Sequence, residues 1–158
     1  MKVKLIQIGK TEDNFVADGV KIYQDRLKHY IRTEEITLKP KKNLSSGQQN
    51  REQQVKLEGG LILDNICSTD FLILLDEKGR QLSSVNFAKE LEVMNVNSVR
   101  TLVFCIGGAY GFSKSVYERA NDQISFSKFT FPHQLIRLMF WEQMYRWQTI
   151  IKGEKYHH

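Results

Sequence analysis

The stretch 101-TLVFCIGGAYGF-112 couples an apolar run to three glycines, Gly107, Gly108 and Gly111. A strand that is apolar throughout has both of its faces covered, as strands in parallel sheets do. Glycines directly after it let the backbone turn sharply or come close to another group.

Outward from this stretch the pattern alternates. VKLIQI (3–8) reads as a strand, and FVADGVKIYQDRLKHY (15–30) as a helix with Phe15, Val16, Val20, Tyr23 and Leu27 near helical spacing. EITLK (35–39) reads as a short strand. A second helix is expected from about Gln49 to Ile66, weakened by Gly59 and Gly60. DFLILLD (70–76) is a further buried strand, EKGRQLSS (77–84) a turn, and Ser83 or Ser84 a cap for the helix VNFAKELEVM (85–94). After the glycines come a short helix (113–122), a short strand QISFS (123–127) and a last helix opening at Pro132. Strands alternating with helices imply an α/β fold, a mostly parallel sheet with helices on both faces. With no repeat and no Pro- or Gly-rich linker, residues 1–158 are expected to form one domain.

Composition agrees with a globular protein: 41% of the 158 residues are hydrophobic and 26% charged. No run approaches the ~20 apolar residues of a membrane span, and MKVKLIQIGK reads as a first strand rather than a signal peptide. Cys67 and Cys105 have neither CxxC spacing nor a histidine cluster beside them, so two buried thiols in a cytoplasmic protein are expected and no metal. The net charge of +5 suits a nucleic-acid partner without demanding one. Lys39, Lys41, Lys42 and Arg51 lie in and beside KPKKNLSSGQQNR, a basic loop that is either solvated or in contact with phosphate.

Ligands of open parallel sheets bind beyond the carboxyl ends of the strands, where GGAYG falls. A dinucleotide site is disfavoured, because the spacing is G-G-x-x-G and no carboxylate ends the next strand at Ser127. A P-loop is excluded, since Phe112 follows Gly111 where GK[ST] is required. A turn that only packs strand on helix remains open. The next stretch, ISFSKFTFPHQ, places Phe126, Phe129 and Phe131 among Ser125, Ser127 and Thr130 just before Pro132. Such a loop offers backbone donors and acceptors between aromatic walls and suits a flat heteroaromatic ligand; three core phenylalanines are the plainer alternative.

The last helix carries Leu135, Ile136, Leu138, Met139, Phe140, Trp141, Met144, Tyr145, Trp147, Ile150 and Ile151 around nearly its whole circumference. In so small a protein this points to a subunit interface as well as a core, hence a homodimer. Glu142 and Arg146, at i,i+4, pair most simply with each other. Arg137 faces either an interface carboxylate or an RNA phosphate.

The succession FCIGGAYGF, ISFSKFTFPHQLIRLMFWEQMYRWQTIIKGEKYHH resembles the ribosomal large-subunit methyltransferase H family of the SPOUT class. GGxxG, SFSxxTFPHQ, EQxYR and GExYH together are far more specific than any one of them. The resemblance spans the chain from the GK at Gly9–Lys10 and is densest from Leu102 to His157. It implies methylation of N3 of a pseudouridine in 23S rRNA, with S-adenosylmethionine as donor, by a homodimer acting on the assembled ribosome. It also implies a C-terminal trefoil knot, which general rules of chain topology argue against. The family's cofactor positions fall on Leu75, Gly107, Phe126, Ser127, Lys128, Phe129, Thr130 and Phe131. Tyr156–His157 match its tail, after which the family commonly carries a basic residue where this chain has His158.

Methyl transfer to N3 requires a positioned donor and loss of the N3 proton. His133, Tyr156 and His157 are the candidates for handling that proton, with Arg137 as an electrostatic partner. Tyr156 and His157 are expected to close over the target base, either on their own or on the partner's site. Neither a membrane nor DNA is expected as a partner. A non-catalytic dimeric rRNA-binding module, and a SPOUT enzyme acting on another RNA, are the competing readings.

Overall fold

The computed structural model describes residues 1–39 and 48–157. Lys41 and Lys42 of the basic loop, and His158, lie outside the described residues. Ten elements follow one another: β1 (Lys2–Ile8), α1 (Asn14–Leu27), β2 (Arg32–Leu38), α2 (Gln48–Asp64), β3 (Phe71–Gln81), α3 (Ser84–Val96), β4 (Thr101–Ile106), α4 (Lys114–Arg119), β5 (Asp122–Ser125) and α5 (His133–Ile151). The strands form one sheet in the order β2-β1-β4-β3-β5, with every pair parallel.

Side chains that alternate along each strand feed two cores. Val3, Leu5, Ile73, Leu102 and Phe104 join Val16, Phe87, Phe140, Trp141 and Trp147 beneath α1, α3 and α5. Ile6, Ile8, Leu72, Leu74, Val103 and Cys105 meet Ile62, Phe112 and Val116 beneath α2 and α4. Helices therefore cover both faces, as the apolar strands require. The caps are local: Ser83 Oγ accepts from Asn86 N at 3.1 Å, and Ser113 Oγ from Val116 N at 3.4 Å.

Several expectations are corrected. β3 continues to Gln81 through the stretch read as a turn, because it re-pairs with β5 after a register jump between Leu75 and Arg80. That re-pairing is possible because residue 79 is glycine: a Cβ there would sit 2.5 Å from the carbonyl carbon of Ile124. β2 begins at Arg32, three residues earlier than its apolar core suggests, and pairs with β1 from Lys2 onward. Of the residues at helical spacing in α1, Val16, Val20 and Leu27 are buried, whereas Phe15 is 67% exposed. Cys67 is exposed, since it lies in the turn before β3, whereas Cys105 is buried and its thiol is pushed up by that burial. Among the described residues no helix is long and apolar enough to cross a membrane.

Candidate functional site

The pairing of β3 with β4 stops where β4 ends, at Leu75 and Ile106. Beyond them a crevice of about 460 Å³ opens between the glycine turn and the segment after β5. Leu75, Gly107, Phe126, Ser127, Phe129, Thr130 and Phe131 all line it, together with His133 at the start of α5. Lys128 is exposed and lies outside that lining.

The glycine turn is built by contacts that leave no room for side chains. Gly111 N donates to Gly108 O at 3.2 Å, and Gly111 has a φ of +77°, a conformation that L residues rarely adopt. A Cβ on Gly107 would stand 3.2 Å from the Phe112 ring. A Cβ on Gly108 would run into the carboxylate of Glu58, and one on Gly59 into Ser113 Oγ. Helix α2 thus buttresses the turn from behind. Glu58 is 2% exposed and its Oε1 accepts from Gln54, while its Oε2 is buried with no partner. Burial pushes its carboxyl above the ordinary range, and the Gln54 bond opposes that only in part.

The opposite wall folds on itself. Ser125 Oγ donates to Ser127 O at 2.7 Å, and Phe129 N donates to Ser127 Oγ at 2.9 Å. Both hydroxyls are used to shape the loop. At its base Tyr117 OH donates to Asp76 at 2.5 Å; its pKa is pushed up to about 12 by burial and by that carboxylate. Neither Tyr117 nor Asp76 stands out in the sequence, because the pair is made only when α4 folds against β3 just past its last pair with β4.

The four residues read as catalytic fall in three places. His133 is exposed at the crevice mouth. Arg137 faces neither an interface carboxylate nor solvent phosphate: it is 1% exposed, its Nη2 donates to Ile8 O at 2.7 Å and its Nη1 to Thr11 Oγ1 at 3.0 Å. It ties α5 to the end of β1, and burial lowers its pKa. Tyr156 and His157 fold back onto the far half of α5. Tyr156 OH donates to Glu142 Oε1 at 3.1 Å and lies 3.4 Å from Tyr23 OH, while its ring packs edge-on against Tyr145. Arg146 bridges the group: it pairs with Glu142 at 2.5 Å, its guanidinium lies 4.9 Å from the Tyr156 ring centre, and it comes within 3.5 Å of His157 Nδ1. Burial and the Tyr23 contact push the Tyr156 hydroxyl well above the usual range. At 1.5 Å rise per residue, Glu142 and Arg146 lie ~13–20 Å along the helix from His133. Within one chain the tail cluster and the crevice are separate.

A crevice at the carboxyl edge of an all-parallel sheet with helices on both faces defines an α/β protein whose cleft lies where such sheets bind their ligands. More narrowly, the chain belongs to the SPOUT methyltransferases: residues 1–157 match the family described as "Predicted SPOUT methyltransferase". The C-terminal trefoil knot comes with membership of that class. The chain is 48% identical over 161 residues to the ribosomal RNA large subunit methyltransferase H of Christiangramia forsetii, covering 100% of this chain and 99% of the relative. Proteins of the same name from Flavobacterium johnsoniae and Cytophaga hutchinsonii are each 47% identical, covering 100% of this chain and 99% and 100% of theirs.

Proposed function

We propose that this protein methylates N3 of a pseudouridine in 23S rRNA, with S-adenosylmethionine as the donor, and that it does so in the cytoplasm on the assembled ribosome. The observation that carries the cofactor is the crevice. Its volume suits a nucleoside-sized ligand, and its loop is folded by the hydroxyls of Ser125 and Ser127 into a wall beside the ends of β4 and β5. Leu75, Gly107 and the loop Phe126–Phe131 would hold the donor, with exposed Lys128 at the rim. When bound, such a donor supplies an electrophilic methyl group on a sulfonium.

The chain's own residues then have to position N3 and accept its proton. Tyr156, with its hydroxyl raised and its single proton donated to Glu142, stays protonated at neutral pH and orients the tail rather than taking the N3 proton. His157 and His133 are the side chains that can take the proton, and Arg146 fixes the tail through Glu142 and the Tyr156 ring. Arg137 acts by positioning, since it holds the start of α5 against β1.

The separation of tail and crevice along α5 favours a homodimer in which one chain's tail completes its partner's site. Phe15 and Ile22, 67% and 52% exposed and seven residues apart on α1, supply an apolar face for that contact. Removal of residues 156–158 tests the assignment: donor binding persists and turnover is lost. Turnover unchanged after truncation would contradict it.

A further inference from the structure

Two aromatic side chains face water on opposite walls of the crevice mouth. Phe129 is 80% exposed and Tyr110 is 47% exposed, and neither belongs to either core. Tyr110 is one of the two residues enclosed by the turn between Gly108 and Gly111, so its ring projects from the most constrained part of the backbone. Its ring also carries a cation: the guanidinium of Arg51, in the first turns of α2, lies 5.2 Å from the ring centre. Arg51 is exposed, and nothing in the packing of α2 on the sheet requires it to lie there.

We infer that Tyr110, braced by Arg51, is a stacking platform for a nucleotide of the RNA next to the one that is methylated. The inference rests on the methyltransferase reading above and adds residues to its RNA contact. Bases stack on exposed aromatic rings and on guanidinium planes, and RNA recognition relies on such platforms where bases are unpaired or displaced. The charges on the rim agree. Arg51 stands beside one wall and Lys128 beside the other, both exposed. Asp76, Glu77 and Lys78 line the crevice itself, and the excess of carboxylate over ammonium there disfavours phosphate. The RNA backbone is thereby kept to the rim, with a base rather than a phosphate turned inward past Tyr110. A turn that served only to pack strand on helix would have no use for a half-exposed tyrosine held by an arginine from another element.

The test measures methyl transfer to intact ribosomes with Tyr110→Ala, Tyr110→Phe and Arg51→Gln, beside donor titrations of the same proteins. Loss of one stacked base costs on the order of 1–3 kcal/mol, or roughly 5- to 150-fold. Tyr110→Ala is expected to raise KM for ribosomes by a factor in that range, with donor affinity unchanged. Tyr110→Phe keeps the ring and should stay near wild type. Arg51→Gln should raise KM less and flatten its dependence on salt. An unchanged KM in Tyr110→Ala would overturn the platform while leaving the methyltransferase reading intact. Weakened donor binding with unchanged KM for ribosomes would assign the ring to the cofactor and also overturn it. Absence of transfer by the wild-type protein is the separate failure of the underlying reading.

Discussion

Gly79→Ala tests how the crevice is held in place. Gly79 lies in the irregular part of β3, and an added Cβ would stand 2.5 Å from Ile124 C, 2.6 Å from Ile124 N and 2.7 Å from Gln123 C. Carbon atoms in contact sit at about 3.5–4.0 Å, so the two strands must part by roughly 1 Å. The obstacle is backbone, which has no rotamer to yield. Gly79 is outside the left-handed region, so the cost is steric alone. Overpacking of this kind costs about 1–3 kcal/mol, which for a domain of this size lowers Tm by roughly 2–10 °C. The displaced strand runs through Ile124 and Ser125 straight into the loop at Phe126, so the wall of the crevice moves with it. A misplacement of about 1 Å at a reacting centre costs on the order of 100-fold in rate. Thermal melts and donor titrations on Gly79→Ala should therefore show a lower Tm together with weaker donor binding. A variant with wild-type Tm and wild-type affinity would refute the proposed link between the β3 irregularity and the loop.

Gly60→Ala is the converse: it lies within α2 with nothing within 4 Å of its added Cβ, and should stabilise by about 0.5–1 kcal/mol in a denaturant titration. Glu58 has its carboxyl raised in the folded state, so its contribution to stability is fully present below the ordinary value of 4.5 and is lost as pH rises through the folded one. Glu58→Gln fixes the neutral form, and its Tm relative to wild type should climb as pH rises above 4.5; parallel Tm–pH curves would contradict this. Arg137→Met leaves Ile8 O without its donor and should cost about 1–3 kcal/mol in unfolding experiments. Unchanged stability with lost turnover would instead place Arg137 in the chemistry.

What was legible in the sequence follows the range of each signal. Apolar runs and helical spacing locate β1, β3, β4 and α5 because burial on both faces of a parallel sheet writes itself into consecutive residues. The glycine turn and the 126–131 loop could be marked as a candidate site because glycines, and aromatics just before a proline, constrain backbone locally, and the structure sets both on one crevice. The β3 extension was hidden, since EKGRQ reads as a turn unless β5 is already beside it. Arg137 was misplaced for a related reason: its partner Ile8 O lies 129 positions away, and no local pattern sets an inward-facing arginine apart from an outward one. Glu58, Tyr117 and the Glu142–Arg146–Tyr156 group share this dependence on distant chain. Only the i,i+4 pair within that last group was visible beforehand.

The most direct measurement is transfer of a labelled methyl group from S-adenosylmethionine to intact ribosomes, beside ribosomes that lack the relevant pseudouridines. The account predicts label on 23S rRNA that depends on pseudouridine. Label that appears equally on both, or on neither while the protein still binds the donor, would contradict the assigned substrate.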